Sequence, residues 1–269
     1  MNPLEAWFGD CPGAIIAFSA GVDSSLVAAL ARRFLGPTRC LAVISASPSL
    51  KRSELEEGRQ FCAAFDIPLQ IVQTRELENP SYKANPVDRC YHCKHTLYDE
   101  LREVAAAHPA WWVLNGQNAD DASDYRPGIK AADEFSVRRP LAESGVDKDA
   151  VRRLAKELEL PVWDKPASPC LSSRIPYGEE VTLEKLERIE KAEEFLNGLG
   201  FQAVRVRHRG MRASIEVQPK RVDELREHFA SIESHLKTLG FESSTIDNEG
   251  LVSGKLNRAI ATRPRWRTR

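Results

Sequence analysis

The segment AIIAFSAGVDSSLVAALARRFL, residues 14–35, joins a short apolar run to a helical pattern through a turn of small, mostly polar residues. An uninterrupted apolar run reads as a strand buried on both faces, as parallel strands covered by helices are. Leu26, Leu30 and Phe34 then recur at helical spacing. A strand that ends in small residues and enters a helix N-terminus builds an anion site, because backbone N–H groups converge there and the helix dipole favours negative charge. Gly21 would let a ligand approach the backbone, beside Val22, and Ser19, Ser24 and Ser25 offer hydroxyls. Asp23 cannot itself welcome phosphate and suits Mg²⁺ or a helix cap better. A Walker loop is excluded, since no lysine precedes Lys51, and so is the three-glycine Rossmann fingerprint. The plain alternative is a βα turn in which Asp-Ser-Ser caps the helix.

The rhythm continues. CLAVIS (40–45), LQIVQT (69–74) and WWVLNG (111–116) read as further strands. SELEEGRQFCAAF (53–65) opens with Ser53 and Glu56 in capping-box spacing. DAVRRLAKELEL (149–160) puts Val151, Leu154, Ala155 and Leu158 on one helical face. The expected fold is α/β, an open and mostly parallel sheet flanked by helices. Its ligand crevice should lie near Gly116 and the Asp120-Asp121 pair, although an Asx turn explains those residues equally well.

Past residue 178 the pattern changes. Two long amphipathic helices, 179–200 and 222–240, each end in glycine and lead into strands: FQAVRVR and ASIEVQ after the first, FESSTI after the second. Leu199-Gly200-Phe201 recurs as Leu239-Gly240-Phe241, which fits a C′ glycine followed by an apolar clamp. We expect a first domain over 1–177 and a smaller α+β domain over 178–269, serving substrate binding or oligomerisation. The Pro-, Ser- and Gly-rich segment 163–178 connects them.

Lys plus Arg number 38 against 39 Asp plus Glu, so no global field argues for nucleic acid or a membrane. No stretch approaches the ~20 apolar residues of a bilayer span. MNPLEAWFGD lacks the basic-then-apolar pattern of a signal peptide, and the cytoplasm is the expected compartment. Charge is locally uneven: RVRHRGMR (205–212) and the tail KLNRAIATRPRWRTR (255–269) are basic without an acid. The tail reads as a frayed, solvated terminus.

Six cysteines in a cytosolic chain do not suggest a disulfide framework. Cys11, Cys40 and Cys62 sit in apolar or helical contexts and read as core residues. Cys90-x-x-Cys93 is flanked by Arg89 and Lys94, cations that favour thiolate. A redox pair, a structural zinc recruiting His92 or His95, and an iron–sulfur cluster all compete for it. Cys170 lies among prolines and serines with Arg174 close in sequence, a setting for a reactive or ligating thiolate.

FSAGVDSS after an apolar strand resembles the PP-loop of the ATP pyrophosphatases, with Ala20 where glycine is usual. That departure matters if the position requires positive φ. With NPVDRCYHCK, NGQNADDASDYRPG, WDKPASPCLSSRIPYG and RVRHRGMRASIEV following in order, residues 14–217 resemble the LarE sulfur transferases. The resemblance implies that Mg-ATP adenylates a carboxylate of pyridinium-3,5-biscarboxylic acid mononucleotide and that sulfur displaces AMP. The thiocarboxylate serves the nickel-pincer nucleotide cofactor of lactate racemase. It implies ATP contacts at Ser19, Gly21, Val22, Asp23, Ser24, Ser25, Gly116 and Asp120, and a catalytic set of Cys170, Asp23 and Arg174. Arg174, Arg205 and Arg207 would take the substrate's phosphate and carboxylates. Arg205 and Arg207 share a strand face, and an exposed polar sheet face competes as their explanation. Glu216 matches a family position for a metal and reads also as an outward strand residue.

Cys90, Cys93 and Cys170 match the family members that hold a 4Fe–4S cluster; in others the cysteine at 170 gives up its own sulfur and becomes dehydroalanine. Implied partners are the nucleotide substrate, sulfide or a sulfur-donor protein, a downstream nickel-insertion protein, and further copies in a homo-oligomer. A membrane and nucleic acid are not expected. The rivals are a PP-loop tRNA thiolase, an amide-forming ligase such as NAD synthetase, and a non-enzymatic nucleotide- or metal-binding regulator.

Overall fold

In a computed structural model of the chain, residues 3–123, 127–252 and 254–258 are described. Asp124, Tyr125 and Arg126 of the quoted DYRPG stretch, and the basic tail beyond Arg258, lie outside the described residues. The chain forms two compact units, residues 1–76 with 88–168, and residues 77–87 with 169–269.

The first unit carries four parallel strands, β1 (Ala14–Phe18), β2 (Cys40–Ser45), β3 (Leu69–Val72) and β4 (Trp112–Leu114), in the order β3-β2-β1-β4. The all-apolar run of β1 has a direct cause. Ala14, Ile16 and Phe18 enter one core, with Leu26, Leu30, Val151 and Ala155 from two helices. Ile15 and Ala17 enter another, with Tyr98, Leu101, Ala131 and Ala132. Both faces are covered, so the expected open α/β sheet is borne out. The strand order reverses between β1 and β4, and the ends of those two strands form the switch point where such sheets bind ligands.

Two local expectations fail, and the first is the single helix over 222–240, which is broken at His228 into Val222–Glu227 and Phe229–Thr238. The helix Arg52–Ala64 begins a residue before Ser53, and Lys51, with extended backbone, occupies the N-cap and makes no side-chain capping bond. The Ser53/Glu56 capping box therefore does not form.

The second unit has β5 (Val204–Arg209) antiparallel to β6 (Arg212–Val217), and β7 (Ser243–Ile246) parallel to β6. The helices Leu183–Gly198 and Phe229–Thr238 pack on it through Ala192, Leu196, Ile232 and Leu236. Both end as their sequence predicts. Gly200 and Gly240 adopt φ of 94° and 95°, and the Phe201 and Phe241 amides donate back to the carbonyls of Leu196 and Leu236, closing Schellman motifs.

The polar face of this sheet departs from expectation. Ser214 and Glu216 are buried, so β6 is covered on both sides and Glu216 is not an outward residue. His208 on β5 is also fully buried. Arg188 Nη1 lies 3.2 Å from its Nε2, which puts the ring proton on Nδ1, and Nδ1 has no partner among the described residues. Burial, then the charges of Arg188 and Lys185, lower its pKa from 6.5 to about 4. Folded His208 is thus neutral where the unfolded imidazole takes a proton. Stability is full above the unfolded value and falls as pH drops toward the folded one. Between pH 7 and 5 this loss is about 2 kcal/mol. Urea unfolding should show it in the parent and not in His208→Leu; equal pH slopes would refute it.

Candidate active site

The turn after β1 is held from within. Ser24 Oγ accepts from the Ser19 amide (3.1 Å), donates to the Gly21 carbonyl (3.1 Å) and meets Ser19 Oγ at 3.0 Å. Ser25 Oγ is buried with no partner among the described residues. Ala20 adopts φ of 55°, the left-handed region in which the usual glycine carries no steric cost. Gly21 itself has φ of −86° and is the N-cap of the helix Val22–Leu35. Its freedom is not conformational: a Cβ there would meet only Ser19 Oγ, at 3.5 Å.

Gly116, beyond β4, is where the backbones crowd. A Cβ on it would lie 2.6 Å from the Ser24 nitrogen and 2.9 Å from the Asp23 carbonyl carbon. The loop it opens then grips the turn. Asn118 Nδ2 donates to Asp23 Oδ1 (2.9 Å), and Lys148 Nζ pairs with Asp23 Oδ2 (2.5 Å). The Lys148 amide donates to Asp120 Oδ2 at 2.9 Å, and the Asn118 amide to Asp121 Oδ2 at 3.1 Å. Asp23 is therefore not a cap; its carboxylate is fixed by Asn118 of the loop after β4 and by Lys148 of the helix Lys148–Glu157. Asp23 and Asp120 are hard oxygen donors of the kind Mg²⁺ takes, and the chemistry of that donor set fits the ion.

Lys165 closes the turn from another side. Its ammonium bonds the Ala20 carbonyl (3.1 Å), Glu54 (2.5 Å) and Glu57 (2.7 Å). Burial alone would lower its pKa, but the two carboxylates outweigh that and hold it above the ordinary lysine value. Asn118 and Lys165 lie within the quoted stretches NGQNADDASDYRPG and WDKPASPCLSSRIPYG, but nothing in those motifs singled them out, and Lys148 lies outside every motif. Lys148 leaves one signal, a lysine in the first turn of the helix Lys148–Glu157, against the dipole.

Cys90 and Cys93 stand three apart on the first turn of the helix Arg89–Ala106, Cys90 exposed and Cys93 partly so. Cys170 is exposed and belongs to the second unit. Three thiols suit an iron–sulfur cluster by donor chemistry. Among the described residues, however, no three His, Cys, Asp or Glu side chains are gathered to hold a metal ion. Cys11, Cys40 and Cys62 are core residues, and burial raises all three thiols, Cys40 to about 11 and Cys62 to about 12.

In the second unit, Arg174 forks onto buried Glu193 (2.8 and 3.0 Å) and Arg207 onto buried Glu216 (3.0 Å twice). Arg205 is half-buried and has no side-chain partner among the described residues. Burial, then the charges of Arg174 and Arg207, press its pKa below the ordinary guanidinium value.

Among known proteins, the NAD synthase family model matches residues 9–88, the segment from β1 through the PP-loop to the edge of the cysteine helix. The chain is 45% identical to an uncharacterized protein of Synechocystis, over 97% of each. It is 34% identical to the pyridinium-3,5-bisthiocarboxylic acid mononucleotide synthase of Lactiplantibacillus plantarum, over 96% of this chain and 93% of that one. A glutamine-hydrolyzing GMP synthase of Oleidesulfovibrio alaskensis is 27% identical over 68% of this chain and 39% of its own length. The NAD and GMP synthase matches cover only part of the chain, whereas the synthase from Lactiplantibacillus is matched almost end to end. The chain is an ATP-using enzyme of the PP-loop class and belongs to the LarE family, that of the pyridinium-3,5-bisthiocarboxylic acid mononucleotide synthases.

Proposed function

We propose that the protein uses Mg-ATP to adenylate a carboxylate of pyridinium-3,5-biscarboxylic acid mononucleotide and replaces one oxygen with sulfur, in the cytoplasm, for the nickel-pincer nucleotide of lactate racemase. The observation that carries this is the Ser19–Ser25 turn at the β1/β4 switch point, locked by Gly116, Asn118 and Lys148, in a chain matched along its length by the Lactiplantibacillus synthase. The amides and hydroxyls of Ser19, Gly21, Val22, Ser24 and Ser25 take the pyrophosphate, and Asp23 and Asp120 would hold Mg²⁺, which would supply neutralisation of its charge. Attack of the carboxylate oxygen on the α-phosphorus releases pyrophosphate and leaves an acyl-adenylate. A sulfur nucleophile then attacks the acyl carbon, the C–O bond breaks, and AMP departs with the electron pair. Arg205, charged, half-buried and unpaired among the described residues, supports an anion contact to the substrate.

The sulfur source is the finer part of the reading. Cys90, Cys93 and Cys170 would hold a 4Fe–4S cluster, whose chemistry is to carry a sulfide on an iron without a protein ligand. The second form has Cys170 surrender its own sulfur. Protein prepared without oxygen should contain about four irons and acid-labile sulfide per chain, lost in the Cys90→Ala, Cys93→Ala variant. No iron after reconstitution would remove the cluster and leave Cys170 as donor. Incubation with ATP and the biscarboxylate nucleotide, read by mass spectrometry, tests the reaction itself. Salt-dependent RNA binding without a thiocarboxylate product would favour the tRNA thiolase. Sulfide or a sulfur-donor protein as supply, a nickel-insertion protein as recipient and a homo-oligomeric state complete the proposal.

A further inference from the structure

The two buried arginines share one construction. Nε and Nη2 of Arg174 face Glu193, while its Nη1 reaches the Pro169 carbonyl (2.6 Å), the Cys170 carbonyl (3.2 Å) and Ser173 Oγ (3.0 Å). Nε and Nη2 of Arg207 face Glu216, while its Nη1 reaches the Ser173 carbonyl (2.7 Å). In each, a buried carboxylate fixes one edge of the guanidinium and the remaining nitrogen holds backbone of the Cys170 segment. Other anchors act on the same segment: Tyr82 Oη meets Ser172 Oγ at 2.6 Å, and Asn85 Nδ2 donates to the carbonyls of Ile175, Pro176 and Glu179. Apart from the short 3₁₀ turn Leu171–Arg174, residues 169–179 have no helix or strand to pair their carbonyls. Local backbone bonds pair the carbonyls of Cys170, Ser172 and Pro176, and side chains supply further pairing.

We infer that Arg174 and Arg207 are positioning residues, which hold the backbone around Cys170 in one conformation, and that the substrate's anionic groups fall to Arg205. A guanidinium with a carboxylate on one edge and carbonyls on the other has little left for a ligand, and both are almost fully buried. Arg205 differs in each respect: it is partly exposed and unpaired among the described residues. The two fixed cations beside it add positive potential without themselves contacting the anion. This rests on reading Cys170 as a sulfur-bearing residue, since only then does the segment's geometry matter for chemistry.

The test separates holding from binding. Three variants are compared with the parent: Arg174→Lys, which keeps the charge but loses the fork; Arg174→Met with Glu193→Leu, which removes the buried pair together so that no charge is stranded; and Arg205→Gln. Amide hydrogen exchange of peptides covering 169–175 should quicken about ten-fold or more in the first two, the factor for losing one charge-assisted hydrogen bond, and stay unchanged in the third. Calorimetric binding of the biscarboxylate nucleotide should weaken about ten-fold in Arg205→Gln alone. Unchanged exchange in both Arg174 variants, or binding lost in them as much as in Arg205→Gln, would overturn the inference. If the parent fails to bind the nucleotide, the functional reading falls, and the exchange rates still decide whether the arginines hold the segment.

Discussion

Gly116→Ala should lose ATP-dependent pyrophosphate formation by about 100-fold or more, the scale set by displacing catalytic backbone by an ångström. A methyl group at this position would stand 2.6 Å from the Ser24 nitrogen, with the Asp23 carbonyl carbon and Ser24 Cα each at 2.9 Å. All three are backbone atoms at the start of a helix packed in the core, so no side chain can swing aside. Either the helix start or the loop after β4 must move. If the helix moves, the amides at its start shift; if the loop moves, Asn118 releases Asp23 and Asp120 releases the Lys148 amide. Both routes damage the same site. Stability should fall by about 1–3 kcal/mol, the usual cost of overpacking, which leaves most molecules folded. Gly21→Ala is the informative contrast. Its added methyl meets a single hydroxyl at ordinary contact distance, so harm there must come from a bound nucleotide and appear as weaker ATP binding. Pyrophosphate release measured against urea unfolding decides the matter. Gly116→Ala activity within a few-fold of the parent would mean that the β4 loop does not set the turn.

What the sequence made legible is what short-range physics decides. The β1 run, the two Schellman glycines and the βα turn each depend on a few neighbouring residues, and each stands where the pattern put it. The capping box failed because Lys51 takes the extended N-cap conformation two positions sooner, a competition that spacing alone does not decide. Ala20 shows the limit differently. Positive φ is the condition under which replacing glycine matters, and the structure meets that condition. The Lys165 ammonium on the Ala20 carbonyl helps hold it there, and that contact spans 145 positions of sequence. Asn118 sits inside a quoted motif, yet its role appears only because β4 pairs beside β1, and Lys148 is silent because it reaches Asp23 from a helix 125 positions away in sequence. Glu216 was ambiguous because alternation says which residues share a face, not whether that face is covered.

Glu216→Leu should destabilise the second unit by about 3–5 kcal/mol, the range for stranding one partner of a buried ion pair. Glu216 is completely buried, and Arg207 beneath the Cys170 segment is nearly so. Without the carboxylate the guanidinium keeps one carbonyl contact, to Ser173, and Lys255, 3.5 Å from Glu216, still has Asp247 and Glu249. The uncompensated charge thus falls on Arg207. Leucine recovers some apolar burial, but at about 25 cal/mol per Å² that offsets only a fraction of a stranded charge. The companion variant Arg207→Met with Glu216→Leu distinguishes causes. Removing both charges leaves none to desolvate, so this variant should recover most of the lost stability. Cys170 should nevertheless stay poorly held in it, because the Ser173 carbonyl has lost its donor. Stability and sulfur transfer should therefore separate: the single variant loses both, and the double variant regains the fold without the chemistry. A single variant within about 1 kcal/mol of the parent, the worth of an exposed pair, would show that water reaches Arg207 and that the pair is not the buried anchor of this unit.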